Sequence, residues 1–458
     1  MVKDTRQTTL DSPSGEINSL EDIDWTFEGA DTTYLTHGLH SYPARMIPQI
    51  PDALFTYYKS EGVISDGDVV YDPFSGSGTT AVEGRLHGLN AEANDINPLA
   101  CILSRTKATP LDTRLLKTAR DDLLNGLSNE IQEVQQEFKN GTLELEEEPE
   151  IRDGWFPEPQ LYELWHIRGR IDDLEKNHGE EVARFFRVIL SAVTRKVSFQ
   201  RNGEYKRYRM AEEDREDHNP DVYDRFKKRL DKNVGLMEQY SQKADHSPDT
   251  VVHYADSRTA TENEVPVGEN SADIVVTSPP YGDHGTTVAY GQFSQDPAIM
   301  AGSHTYDEMK AVDKTGLGGS NSELEPMEEL EEWSPSFAAT MDALREKDGR
   351  AEDAMDFVRD YYEVMKEVAK ILKPGQPSAW VVANRTMSRV NIPTHLITQE
   401  LCEHIGYEHE VTLPREIPTK TLPWSNAPEN VAGTTGELMA SLLVILIIRL
   451  LLPYSINL

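Results

Sequence analysis

Residues 66 to 95 read DGDVVYDPFSGSGTTAVEGRLHGLNAEAND. Val69 to Tyr71 is a short β-branched and aromatic run, Asp72 to Gly78 a turn rich in Gly and Ser, and Thr79 to His87 a helical stretch; a second short strand ends at Asp95. This is one βαβ unit, and it predicts a parallel sheet, because parallel neighbours need a crossover between them. Gly76 and Gly78 allow a tight turn and close approach of the backbone. They stand where an open α/β sheet binds ligands, just beyond a strand end. No GK[ST] follows the glycines, which argues against a phosphate-cradling hydrolase loop.

Outward from this unit the chain divides by pattern. Residues 1–30 carry DSPSGE and EDID and are expected to be a polar, loosely ordered lead-in on which little depends. Residues 31–110 hold the first part of the α/β domain. Residues 111–250 show helical period and long charged faces, as in DDLLNGLSNEIQEVQQEF and DVYDRFKKRLDKNVGLMEQY, without convincing strands. They are expected to be a large helical insertion. Strands return in TVVHYAD, ending at Asp256, and ADIVVTS, ending at Ser278, which opens the second part, 251–458. Gly282 to Glu352, rich in Gly, Ser and Glu, is expected to be a long loop or lid. A helix (Ala354 to Leu372), a strand (Ala379 to Ala383), a helix (Thr394 to Ile405) and strands near Glu408 to Leu413 and Leu442 to Leu450 follow. The fold class predicted is α/β, a doubly wound, mostly parallel sheet with antiparallel pairing at its C-terminal edge.

Composition sets the class of molecule. Among 458 residues, 79 acidic and 45 basic side chains give a formal charge of −34, yet 38% are hydrophobic, enough to build a core. Cys101 and Cys402 cannot form a disulfide framework or a four-cysteine metal site, and no metal is expected. The apolar run Leu442 to Leu452 is eleven residues long, short of the roughly 20 that span a bilayer. A cytoplasmic protein without membrane contact is expected. The acids are spread along the chain rather than gathered in a tail, a whole-surface pattern that suits molar salt and implies a halophilic source, on this reading an archaeon.

Two motifs carry chemistry. Asp95 follows Gly76 by nineteen residues, near the roughly 20 at which an acid reaches ribose hydroxyls in nucleotide-binding sheets. Thr277-Ser278-Pro279-Pro280-Tyr281 closes a strand at the same sheet edge. Methyl transfer to an exocyclic amine needs the nitrogen lone pair turned out of the ring, and acceptors on both amine hydrogens do that. The Ser278 hydroxyl and the Pro279 carbonyl can supply them, Pro280 helps to fix the backbone, and Tyr281 can stack on a base taken out of a duplex. The nitrogen becomes cationic as it is methylated, so no strong base is required.

DPFSGSGTT together with SPPY resembles the S-adenosylmethionine-dependent amino-group DNA methyltransferases, over roughly Thr36 to Pro110 and Val251 to Leu450. The resemblance implies the Rossmann-like sheet of class I methyltransferases. It places the methionine part of S-adenosylmethionine on Asp72, Phe74, Gly76, Gly78 and Thr79, the ribose on Asp95 and the adenine amine on Asp256, whose ordinary reading is a turn or cap aspartate. His40-Ser41-Tyr42-Pro43-Ala44-Arg45 resembles the HxYPA[RK] segment of some members, as a cofactor or DNA contact or as a structural turn. Serine first in SPPY implies cytosine N4 as the target. Adenine N6, RNA guanine N2 and a non-catalytic binder are the alternatives. Cytosine C5 chemistry needs a cysteine nucleophile, usually after proline, whereas Cys101 follows Ala100 and Cys402 follows Leu401.

DNA is the expected partner, with a cognate restriction endonuclease as a second. A chain this acidic needs local cations to meet phosphate. Arg195, Lys196, Arg201, Lys206, Arg207 and Arg209 interleave with Phe199, Tyr205 and Tyr208, a composition for phosphate contact and stacking or for a solvated helix face. Lys227, Lys228, Arg229 and Lys232 follow. Asn384-Arg385 and the 415–430 loop, with Arg415, Lys420, Trp424 and Asn426, are further candidates. In the branch of the family with this motif order the recognition module usually follows the third strand. Here the main insertion follows the second, so the Gly282 to Glu352 segment is a rival for target reading.

Overall fold

The computed structural model describes residues 18–144, 151–201, 206–282, 288–302, 304–320, 325–347, 350–415 and 443–451. Helix α1 (Gln49–Ser60) leads into β1 (Val69–Asp72), α2 (Thr79–Leu86), β2 (Asn90–Asp95) and α3 (Pro98–Ala108). Asn97 and Pro98 start α3 as cap and first-turn residue, the Asn97 side chain accepting from Leu99 N–H. Among the described residues the expected insertion holds six helices: α4 (Thr113–Leu124), α5 (Leu127–Asn140), α6 (Glu158–His178), α7 (Glu180–Val197), α8 (Glu212–Glu216) and α9 (Val222–Lys243). They do not stand apart from the sheet. Ile167, Phe185, Phe186 and Phe226 belong to the same apolar cluster as Val70, Ala81 and Ile274.

The sheet resumes with β3 (Thr250–Tyr254) and β4 (Ile274–Thr277). In the segment expected to be a loop or lid the described residues instead form helices: α10 (Tyr290–Ala301), α11 (Tyr306–Thr315), α12 (Glu329–Trp333) and α13 (Pro335–Glu346). Two local signals inside the Gly- and Glu-rich composition explain it. Thr305 and Glu308 make a reciprocal capping box on α11, and Ser334 caps α13 with Pro335 in its first turn. Phe293, Met300, Met309, Val312 and Phe337 then bury the apolar faces.

Helix α14 (Ala351–Ile371), β5 (Pro377–Ala383), the small hairpin β6 (Arg385–Met387) and β7 (Val390–Ile392), α15 (Thr394–Ile405), β8 (Tyr407–Arg415) and β9 (Leu443–Leu450) complete the described fold. The main sheet runs β3-β2-β1-β4-β5-β9-β8. Its first five strands are parallel, and β9 is antiparallel to both β5 and β8. The expected doubly wound sheet with an antiparallel C-terminal edge is therefore present, and the apolar run is an inner strand. Strand order turns outward in both directions from β1 and β4, so the crevice beyond their carboxyl ends is the switch point where such sheets bind ligands.

Residues 18–30, the described part of the lead-in, correct the reading that little depends on it. Leu20 and Trp25 are 3% and 4% exposed, Trp25 Nε1 donates to Leu20 O at 2.9 Å, and Arg415 Nε donates to Trp25 O at 2.9 Å. Isolated apolar anchors in a polar run carry no period, so pattern alone passes over them. No helix among the described residues is long and apolar enough to cross a membrane.

Candidate active site

The turn after β1 is shaped by its neighbours. Gly78 has φ +83°, and a Cβ there would fall 2.6 Å from Ser104 Cα on α3. Only glycine lets α2 start this close to α3. Asp95, at the end of β2, accepts from Gly76 N–H at 2.9 Å and from Asn97 N–H at 2.8 Å. Asp72 accepts from Phe74 N–H at 3.0 Å and from Thr277 Oγ1 at 2.6 Å, tying β1 to the strand that carries the reacting motif. Burial outweighs these donors and pushes both carboxyls up to about 6.

Asp72, Phe74, Gly76, Thr79, Asp95 and Asp256 line one pocket of about 1090 Å³, open mouth included, and Ser278 and Pro280 line it too. Gly78 sits behind the wall and shapes it. Ser75 and Ser77 also line the pocket, and their buried hydroxyls have no partner among the described residues. Orphaned hydroxyls beside two carboxylates fit the ammonium, carboxylate and diol of an aminoacyl nucleoside. Asp256 does what its ordinary reading requires, capping the turn Ser257–Thr259 through Arg258 N–H at 2.9 Å, and it faces the pocket as well.

Tyr42 to Met46 form another wall. The Tyr42 hydroxyl accepts from Asn97 Nδ2 at 3.0 Å, and the same amide donates to Ser294 Oγ at 2.8 Å. Asn97 therefore joins the acid of β2, the HxYPAR segment and α10. His40 is buried, its Nδ1 2.6 Å from Ser41 O, and burial lowers its pKa to about 3. Burial thus favours its neutral form. Sequence reasoning missed Asn97, although the DINP run before a helix is a cap signal. It also missed Arg258 and the pocket residues of α11, which were assigned to a loop.

In the reacting motif, Ser278 Oγ lies 3.2 Å from Val381 O, to which it donates, and 3.2 Å from Tyr281 OH. The hydroxyl has one hydrogen. With that hydrogen committed to Val381 O, Ser278 faces Tyr281 as an acceptor. Behind the motif, a Cβ on Gly282 would overlap the Arg385 guanidinium, 1.5 Å from one nitrogen. Arg385 is thus packed against the motif, and it also lies 5.2 Å over the Phe357 ring. Asn384 accepts from His395 Nδ1 at 2.8 Å when that nitrogen carries the proton.

Of the basic run, Arg195 and Lys196 lie in the last turn of α7 and the rest does not continue the helix. It folds back after α7, with Arg201 N–H donating to Tyr208 O at 2.8 Å and Met210 N–H to Phe199 O at 2.8 Å. Arg207 is withdrawn as a phosphate contact, because its side chain is 9% exposed and pairs with Asp296 at 2.9 Å while lying 3.9 Å over the Trp155 ring. Arg195 stacks 4.1 Å over Phe293 and donates to its carbonyl at 3.2 Å. Lys196, Arg201 and Arg209 are exposed and Lys206 is half-buried. Lys227 and Lys228 pair along α9 with Asp231 and Asp224, and Arg229 donates to Gly38 O and Leu39 O. Tyr205, Lys420, Trp424 and Asn426 lie outside the described residues. Cys101 and Cys402 are buried, and burial pushes both thiols up. Away from the pocket, Asp52, Glu83 and His87 hold one ligand atom each within 4.8 Å, with His87 bonded to Asp52 at 2.8 Å as an ordinary pair.

No protein-family model matches the chain. Type II methyltransferase M.MvaI of Kocuria varians is 34% identical over 457 residues, which is 97% of this chain and 98% of the relative. The chain belongs to the type II DNA methyltransferases. It is a site-specific DNA methyltransferase, and S-adenosylmethionine is its methyl donor. Type II methyltransferase M.MjaII of Methanocaldococcus jannaschii is 35% identical over 95 residues, 21% of this chain and 17% of that one. Among solved structures, the rRNA methyltransferase aviRa of Streptomyces viridochromogenes covers 95% of this chain and 96% of its own at 10% identity, with a TM-score of 0.29.

Proposed function

We propose that this methyltransferase acts on the N4 amino group of a cytosine flipped out of its DNA site, within a modification or restriction-modification system. The observation that carries the reading is the Ser278 hydroxyl, fixed as an acceptor by its bond to Val381 O and lining the pocket that holds Asp72 and Asp95. S-adenosylmethionine supplies an electrophilic methyl group. Ser278 Oγ and the Pro279 carbonyl accept hydrogen bonds from the two amine hydrogens and turn the nitrogen lone pair out of the ring, and the nitrogen, cationic once methylated, gives up one proton to solvent. Tyr281 gives up its contact with Ser278 and stacks on the flipped base. Asp95 takes the ribose hydroxyls, Asp256 the adenine amine, and Ser75 to Thr79 the methionine end.

On this reading the insertion at 111–250 and the helices α10 to α13 share target recognition. Lys196, Lys206, Arg201 and Arg209, with Trp424, meet the DNA, and Arg195 supports the surface from behind. A cognate endonuclease, a cytoplasmic location and a halophilic source complete the proposal. The test incubates the protein with labelled S-adenosylmethionine and unmethylated duplex at graded KCl, digests the DNA and identifies the modified nucleoside by mass. N4-methylcytosine that disappears in a Ser278→Ala/Tyr281→Ala double variant is the expected result. N6-methyladenine would overturn the base assignment, and no label in DNA at any salt would overturn the reading of the site.

A further inference from the structure

One wall of the cofactor pocket comes from outside the parallel sheet. Thr315, Gly316 and Leu317, at the C-terminal end of α11, line it beside Asp256 and Ile96. Two glycines set the course of this turn. Gly318 has φ +67°, and a Cβ there would lie 3.0 Å from Phe357 Cβ; a Cβ on Gly319 would lie 2.1 Å from Lys314 O. Leu317 is the one apolar side chain that the turn brings to the pocket.

A single guanidinium fastens this turn to the sheet. Arg258 Nη2 donates to Thr315 O at 2.9 Å, and Nη1 donates to Asp360 Oδ2 at 2.9 Å. The same group grips Asp256, with Nε 3.0 Å and Nη2 2.6 Å from Oδ2. Asp360 is fully buried and also accepts from Gly318 N–H at 3.0 Å. Asp256, α14 and both ends of the turn therefore meet at Arg258 and its partner Asp360. An arginine fork suits this task because its donors are fixed in one plane, which a lysine ammonium does not offer.

We propose that Arg258 is a positioning residue that latches the Thr315–Gly319 turn over the cofactor pocket, making Leu317 an apolar wall of the adenine slot beside Ile96. The proposal rests on the reading of Asp256 as the acceptor of the adenine amine. Opening the turn requires Thr315 O to leave Arg258 and Gly318 N–H to leave Asp360, the carboxylate that Arg258 holds in place, so the latch sets how fast S-adenosylhomocysteine departs. It also links the cofactor to α10 and α11, because Asp313 caps α10 through Gly291 N–H at 2.8 Å and Gln292 N–H at 3.0 Å.

The test measures binding and release of S-adenosylhomocysteine, and of S-inosylhomocysteine, which lacks the adenine amine, on the full chain and on Arg258→Met, Arg258→Lys and Leu317→Ala. Release is expected to quicken about tenfold or more in Arg258→Met and Leu317→Ala, with Arg258→Lys between them and the unaltered chain. The preference for the adenosyl over the inosyl compound is expected to shrink in Arg258→Met and to persist in Leu317→Ala, a split that general loosening of the fold would not produce. Release within about twofold of the unaltered chain in Leu317→Ala, whose latch is intact and whose melting point checks its folding, would overturn the proposal even if Arg258→Met fails to fold. Equal affinity of the unaltered chain for the two compounds would remove the Asp256 reading, while faster release from the variants would still uphold the latch.

Discussion

Arg207 and Asp296 face each other across the junction between the helical insertion and α10, their charged ends 2.9 Å apart and both side chains more than nine-tenths buried. Removing one partner of such a pair leaves a charge without compensation in a low-dielectric setting. Arg207→Ala is expected to cost about 3–5 kcal/mol in denaturant unfolding, whereas Arg207→Ala combined with Asp296→Ala should cost less than the two single changes together. Additive losses would show that the pair does not hold the junction.

Gly78→Ala tests the cradle behind the cofactor. A side chain at φ +83° costs about 1–2 kcal/mol by itself, and its Cβ would meet the Ser104 Cα at 2.6 Å. Trimming Ser104 to glycine leaves that Cα in place and should not rescue. The expected outcome is a cofactor Kd raised at least about tenfold with DNA binding retained, read by calorimetry and gel shift.

Acidity acts on the same pocket with opposite signs for binding and folding. Burial holds Asp95 up at about 6, and a ribose diol donates best to the ionised carboxylate. Affinity for S-adenosylhomocysteine should therefore fall as pH drops through about 6, and Asp95→Asn should flatten that dependence. For folding without ligand the raised value works the other way. The preference for the protonated acid stabilises fully below the unfolded value of about 3.9 and is lost as pH rises through about 6. The unaltered chain should lose stability relative to Asp95→Asn between about pH 4 and pH 7, measured as melting points.

A formal charge of −34 repels itself and repels DNA at low salt. Raising KCl from about 0.1 M to molar concentration shortens the screening length from about 10 Å to about 3 Å. The melting point is expected to rise across that range, and methylation is expected to persist in molar KCl. A melting point that falls with added KCl would remove the halophilic reading.

The sheet and the ends of β1, β2 and β4 were legible because each is announced by local chemistry: DPFSGSGTT at a turn that demands glycine, Asp95 at a fixed spacing, SPPY after an apolar run. Trp25 was not legible, since a single anchor has no period. The helices between Tyr290 and Glu346 were missed because a Gly- and Glu-rich composition outweighed the capping signals at Thr305 and Ser334. Arg207 shows a different limit. A cation in a basic, aromatic run reads as a surface group until the fold brings Asp296, 89 positions away, against it.

Strand β9 lies between β5 and β8 and pairs with both, although 27 residues separate it in sequence from β8. During synthesis β5 and β8 emerge from the ribosome first and cannot be joined until Leu443 to Leu450 have followed them. Until that moment β5 presents a bare edge, and β8, whose end carries Arg415 toward Trp25, has no place in the sheet. That long-range pairing is expected to be a slow step in folding, and until it forms the bare edge of β5 is open to pairing with other chains.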